Sequence, residues 1–217
     1  MPRRYTLGKR GEAKAETRQR IVEAALRLYR DAGVAAAPVP AIAQAADVAP
    51  ATVRNHFPTP MDLGDATAEA LLVELRMPDA SIFAGAEGLT DRVDRLLEAL
   101  IAFFERGTEW WRVREADRVA GDAWSAPEMR YYDRVAALIA TAIRPLDADP
   151  AIVAICGAII NQAYFAARSA GRDSDEARAL IRSLLVPWLE ARLVAARTAG
   201  RGRNRRSVTP SRHDRAG

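Results

Sequence analysis

Ten consecutive residues, Val48-Ala49-Pro50-Ala51-Thr52-Val53-Arg54-Asn55-His56-Phe57, constrain this chain more than any other stretch. They follow a short helix signal, Pro40 to Ala46, across a tight turn at Asp47. Pro50 suits the first position of a second helix, where its missing N–H has no intrahelical bond to lose. Val48 and Val53 then stand just before the N-cap and four positions into the helix, the spacing of a hydrophobic staple. A helix from Pro50 to about Phe57 is too short to fill a core. It turns Val53 and Phe57 inward and leaves Thr52, Arg54, Asn55 and His56 on a polar side. Two short helices joined by a turn, the second opened by proline, have the outline of a helix-turn-helix that reads DNA.

The rest of the chain is written for helices. At 217 residues it can bury a sizeable core in one or two domains. Alanine, leucine, arginine and glutamate dominate, and no sustained period-two pattern appears, so an all-α fold is expected. No apolar run reaches the roughly 18 residues of a membrane span. The charged start, Met1-Pro2-Arg3-Arg4-Tyr5, has no apolar secretory segment. Cys156 is the only cysteine, which excludes an intrachain disulfide and fits a reducing interior. A cytoplasmic location is expected.

The formal charge of +4 hides an asymmetry. Residues 1–20 carry seven basic and two acidic side chains, and residues 197–217 carry seven arginines against Asp214 alone. The stretch between them is therefore net acidic. Basic ends around an acidic body point to the ends as the parts that meet a polyanion.

Residues 1–14 read as a flexible basic arm. Ile21, Ala25, Leu28 and Ala32 recur at helical spacing, with Gly33 as the stop. The motif helices follow, and Pro58-Thr59-Pro60 breaks the chain before a helix from about residue 61 to 76. Further helices are expected near 90–106, 108–121, 125–144, 150–170 and 173–196, about nine in all. Ser125 to Glu128 and Asp173 to Glu176 have capping-box spacing, and Pro187 predicts a kink or break. The division is a helix-turn-helix head at 15–60, a helical body for ligand binding and dimerisation at 61–196, and an Arg-rich disordered tail at 197–217.

The segment Ile42 to Pro58, with a helix ending at Gly33 before it, resembles the DNA-binding domain of TetR-family transcriptional regulators over roughly residues 16–64. The resemblance implies a dimeric regulator, a repressor on a palindromic operator released by a small-molecule effector. It also implies DNA contact by Ala49, Pro50, Ala51, Thr52, Arg54, Asn55 and His56, with Thr52 at the DNA and His56 near the phosphates. Four positions depart from the family pattern. Arg54 replaces a tyrosine, Ala49 a capping serine, Asp47 a turn glycine and Pro60 a phosphate-binding lysine. Asp tolerates the left-handed turn better than most residues, whereas the lost cap oxygen costs about 1 kcal/mol.

Residues 21–64 contain three arginines and four acidic residues, so the motif is not itself basic. Phosphate neutralisation supplies much of the affinity for DNA. Arg54 and the arm residues Arg3, Arg4, Lys9, Arg10, Lys14 and Arg18 are expected to supply it here.

The helices at about 150–170 and 173–196 are the candidates for a homodimer interface, with Ile152, Cys156, Ile159, Ala163 and Ala167 as a close-packing face. Aromatic residues cluster in the body, and an apolar cavity with a few polar groups is the usual small-molecule site. Phe104, Trp111, Trp124, Tyr132, Asn161, Tyr164 and Arg168 are the candidate ligand-binding residues. Two other classes are weighed. Two histidines cannot build a His-rich metal site, no phosphate-binding glycine loop is present, and no base stands near Cys156, so no catalytic residue, metal or cofactor is expected. A non-specific nucleic-acid-binding protein is the alternative, and it predicts similar affinity for unrelated duplexes.

Overall fold

The computed structural model describes residues 5–34, 36–113, 125–146 and 149–206. Arg3 and Arg4 of the expected arm, the candidate ligand residue Trp124 and residues 207–217 of the tail lie outside them. In chain order come α1 (Tyr5–Ala32), α2 (Val39–Ala45), α3 (Pro50–His56), α4 (Pro60–Glu74), a 3-10 turn (Ala80–Phe83) and α5 (Gly88–Arg106). A helical run at 108–113 (α6), α7 (Ser125–Ala142), a 3-10 turn (Arg144–Leu146), α8 (Pro150–Ser169) and α9 (Ser174–Arg206) complete them. No strand occurs among the described residues, as the composition led one to expect.

Both ends differ from expectation. Residues 5–14, read as a flexible arm, are the first turns of α1. Glu12-Ala13-Lys14-Ala15-Glu16 are strong helix formers, and their propensity outweighs Gly8 and Gly11. Residues 197–206, read as disordered, continue α9, which runs on through Pro187.

The chain divides into two compact units, Met1–Met77 with Ala102–Arg134 and Pro78–Ile101 with Val135–Gly217. This grouping does not follow the expected division after residue 60. α4 packs with α1 and belongs to the first unit.

In the first unit, Ile21, Val22, Ala25, Leu26 and Tyr29 of α1 are buried with Ile42 and Ala43 of α2, Val53 of α3 and Leu63, Leu71 and Leu72 of α4. Gly33 ends α1 at φ 85°, its N–H bonding the Tyr29 carbonyl at 3.0 Å. α4 opens on a capping box. The Asp62 N–H donates to Thr59 Oγ1 at 3.2 Å, and the Thr59 N–H donates to Asp62 Oδ2 at 2.9 Å.

In the second unit, α5 buries Val93, Leu96, Leu97 and Leu100. Arg182 of α9 forks onto Asp94 of α5 at 2.6 and 3.2 Å, and Thr90 donates to Glu190 at 2.7 Å. α9 has the anticipated box, with the Glu176 N–H on Asp173 Oδ1 at 2.8 Å and the Asp173 N–H on Glu176 Oε2 at 3.0 Å.

α8 corrects two readings. It is long and apolar enough to cross a membrane, with a mean hydropathy of 1.6, although no such run was read from the sequence. Its interior interruptions are the uncharged Asn161 and Gln162, and its one charge, Arg168, stands in the last turn, so the average stays high. Its expected dimer face is also divided. Ile152, Cys156 and Ala167 are buried inside the protomer, whereas Ile159 and Ala163 are half-buried. The large apolar side chains that these two helices leave exposed, among the described residues, are Ile155 on α8 and Leu180, Leu184 and Val194 on α9. Burial raises the Cys156 thiol to about 11, which leaves it protonated and unreactive near neutrality.

Candidate nucleic-acid interface

The turn between α2 and α3 closes as a full Schellman motif. The Val48 N–H bonds the Ala43 carbonyl at 3.0 Å and the Asp47 N–H bonds the Gln44 carbonyl at 3.2 Å. Asp47 takes the left-handed position, at φ 53°. A non-glycine residue here carries some strain, which Asp bears better than most.

α3 begins as the sequence predicts. Pro50 is at its first position, and the Ala49 N-cap, extended at φ −72° and ψ 147°, offers no side-chain acceptor. Val53 is 1% exposed and Phe57 3%. These two anchors fix the rotation of a helix only two turns long. The opposite side is therefore presented outward: Ala49, Pro50, Ala51, Arg54 and Asn55 are exposed, and Thr52 and His56 half-buried.

His56 stands at the end of α3 in a cationic corner. Burial is the first cause that lowers its pKa from 6.5, followed by the charges of Lys14 and Arg18. Its Nδ1 is buried without a hydrogen-bond partner. The neutral imidazole is thus favoured until an anion arrives. The Arg18 guanidinium lies 4.6 Å from the Phe57 ring centroid. Arg10, Lys14 and Arg18 recur every fourth residue of α1 and are all exposed, so the basic groups sit along one helical stripe. Sequence reasoning placed these residues on a loose arm and missed their order. The signal was present in the helix-forming run that carries them.

The candidate ligand residues are shared between the two units. Phe104 and Trp111 belong to a cluster in the first unit, their rings 6.1 Å apart and edge-on. The Trp111 indole donates to the Phe104 carbonyl at 2.9 Å. Tyr131 stacks on Phe103 at 5.9 Å and meets Tyr132, which is 42% exposed, at 5.1 Å. Asn161 and Tyr164 are buried in the second unit. Arg168 is exposed and turned away from both, donating to the Arg172 carbonyl at 2.8 Å beyond the end of its own helix. It fits a C-terminal helix cap better than a ligand contact.

Comparison with known proteins bears on the head and on the fold. The family described as bacterial regulatory proteins, tetR family, matches residues 21–63. A multidrug binding protein, EbrR, complexed with imidazole is similar at 23% identity and a TM-score of 0.54, over 78% of this chain and 89% of that one. The same protein complexed with ethidium is similar at 22% identity and a TM-score of 0.50, over 77% and 98%. A member of the TetR family from Streptomyces coelicolor A3 is 22% identical with a TM-score of 0.56, over 78% and 98%. No curated protein matches the chain.

Proposed function

We propose that this chain is a TetR-family regulator, a reading supported by the family match of its head and the likeness of its fold, and that it works as a homodimer on double-stranded DNA. In this reading it is a repressor that holds a palindromic operator and leaves it when a small molecule binds. The observation that carries the reading is α3 itself, anchored by buried Val53 and Phe57 with Arg54 and Asn55 fully outward. A helix so held can enter a major groove, where Arg54 has the donors for a bidentate guanine contact and Asn55 the donor and acceptor for adenine. Such a pair is worth about 1–3 kcal/mol of discrimination. Arg10, Lys14 and Arg18 on α1 supply phosphate contacts that the nearly neutral motif lacks.

One head reads too few base pairs for useful specificity, so two must act together, roughly 34 Å apart or a multiple of that. Exposed Ile155, Leu180 and Leu184 on α8 and α9 give the pairing surface, since monomers seldom leave such apolar faces uncovered. For the effector, the aromatic cluster of the first unit, with Phe104, Trp111 and Tyr132, favours a flat aromatic molecule. A protein of similar fold is seen with ethidium and with imidazole. An effector that prefers the non-binding spacing of the heads lowers operator affinity by its differential affinity, about 1–3 kcal/mol in such couplings.

Genome-wide capture of bound DNA fragments tests the proposal. It predicts a shared inverted repeat whose half-site spacing reports the dimer. Uniform recovery of unrelated duplexes would instead establish the non-specific nucleic-acid binder.

A further inference from the structure

The first unit holds a cleft of about 710 Å³ whose lining includes Arg18 and His56 of the DNA-facing head. Val22 of α1 with Ala66 and Val73 of α4 forms its apolar side. Asp65 and Glu69, one turn apart on α4, form its acidic side. Arg130 of α7 reaches into this acidic side. Its guanidinium donates to Asp65 at 3.1 Å and lies 3.9 Å from Glu69, which also pairs with Arg134 at 2.5 Å.

We propose that this cleft is a binding site for a small organic cation with an apolar body, an amidinium or guanidinium compound, which takes the place of the Arg130 guanidinium on Asp65 and Glu69. Three features define the ligand class. The two carboxylates are already arranged to receive a planar cation. Next to them Val22, Ala66, Ala70 and Val73 line one part of the space, which a bare inorganic ion would leave empty and a hydrophobic body would fill. The resident cation is weakly held: the side chains of Arg130, Asp65 and Glu69 are 45%, 38% and 43% exposed, and ion pairs so exposed to water contribute little. An incoming cation therefore meets a competitor it can displace. Asp62 also lines the cleft, but its carboxylate accepts from the Thr59 N–H and hydroxyl, so selectivity rests on Asp65 and Glu69.

Isothermal titration of the full-length protein at low ionic strength, with benzamidine, benzamide and benzoate as isosteric probes, tests the assignment. Benzamidine is expected to bind and the neutral and anionic probes to give no heat of binding. In Asp65→Asn/Glu69→Gln the benzamidine affinity should fall about tenfold or more. In Arg130→Gln it should rise about two- to fivefold, because the competing side chain is gone. Equal binding of benzamide, or an affinity unaltered in the double variant, overturns the proposal. Should the double variant fail to fold, Arg130→Gln decides alone, and unchanged or weaker affinity there also overturns it.

Discussion

The Arg18 guanidinium lies over the Phe57 ring, 4.6 Å from its centroid, and so joins the middle of α1 to the residue that closes α3. The contact sits between the basic stripe and the DNA-facing helix. It keeps the stripe in register with that helix while Phe57 remains buried. An exposed contact of this kind is worth about 0.5–1 kcal/mol. Arg18→Ala should lower stability by that amount in urea unfolding, and Arg18→Lys should recover part of it. A midpoint equal to the parent's in Arg18→Ala would show that the stacking contributes nothing.

The turn at Asp47 gives a second prediction. At φ 53° the residue needs a left-handed backbone, which glycine adopts freely and a β-branched side chain resists. Asp47→Gly should raise stability by up to about 1 kcal/mol, and Asp47→Val should lower it by about 1–2 kcal/mol. Thermal unfolding of the two variants distinguishes this account from one in which the Asp carboxylate is needed, where both would be destabilised.

Gly107 is fixed by contact instead. A Cβ there would come within 2.8 Å of Trp111 Nε1 and 2.9 Å of Cε2. The indole cannot simply step aside, because it donates to the Phe104 carbonyl and lies edge-on to the Phe103 ring at 5.8 Å. Gly107→Ala should cost about 1–3 kcal/mol as an overpacked site. Its tryptophan emission should shift as well; an unchanged spectrum with unchanged stability would mean the indole has room to move.

The His56 environment makes stability depend on pH. Its folded pKa lies below the ordinary 6.5, with burial as the first cause and Lys14 and Arg18 next. The unfolded chain therefore binds more protons than the folded one just below 6.5, and stability falls as pH drops through that window. Between pH 7.5 and 5.5, His56→Gln should lose less stability than the parent. An identical loss in both proteins would assign the dependence to other groups.

Much of this was legible in the residues. The helix-turn-helix was readable because three local signals agree, with Pro50 opening α3, Val53 and Phe57 anchoring it and Asp47 able to turn left-handed. The cap at Asp173 and Glu176 was readable from spacing alone. The Thr59–Asp62 box has the same spacing but stood hidden in a proline-rich break. The basic arm was misread because charge suggests disorder, whereas the Ala and Glu residues between the charges favour helix. The close-packing face of α8 was misplaced for a different reason. An apolar helix shows no polar stripe, so its sequence alone does not tell which side faces its own core. The ion pairs joining Arg130 and Arg134 to α4 span more than sixty positions, and no local pattern announces them.

The central claim is that the outward side of α3 reads bases. Fluorescence anisotropy on a captured operator and on a shuffled duplex, for the parent and for Arg54→Ala/Asn55→Ala, tests it most directly. The account predicts a parent preference of about a thousandfold or more. The variant should lose about 2–4 kcal/mol of that discrimination while keeping its weak binding to the shuffled duplex. A variant that still prefers the operator as strongly as the parent would contradict the account.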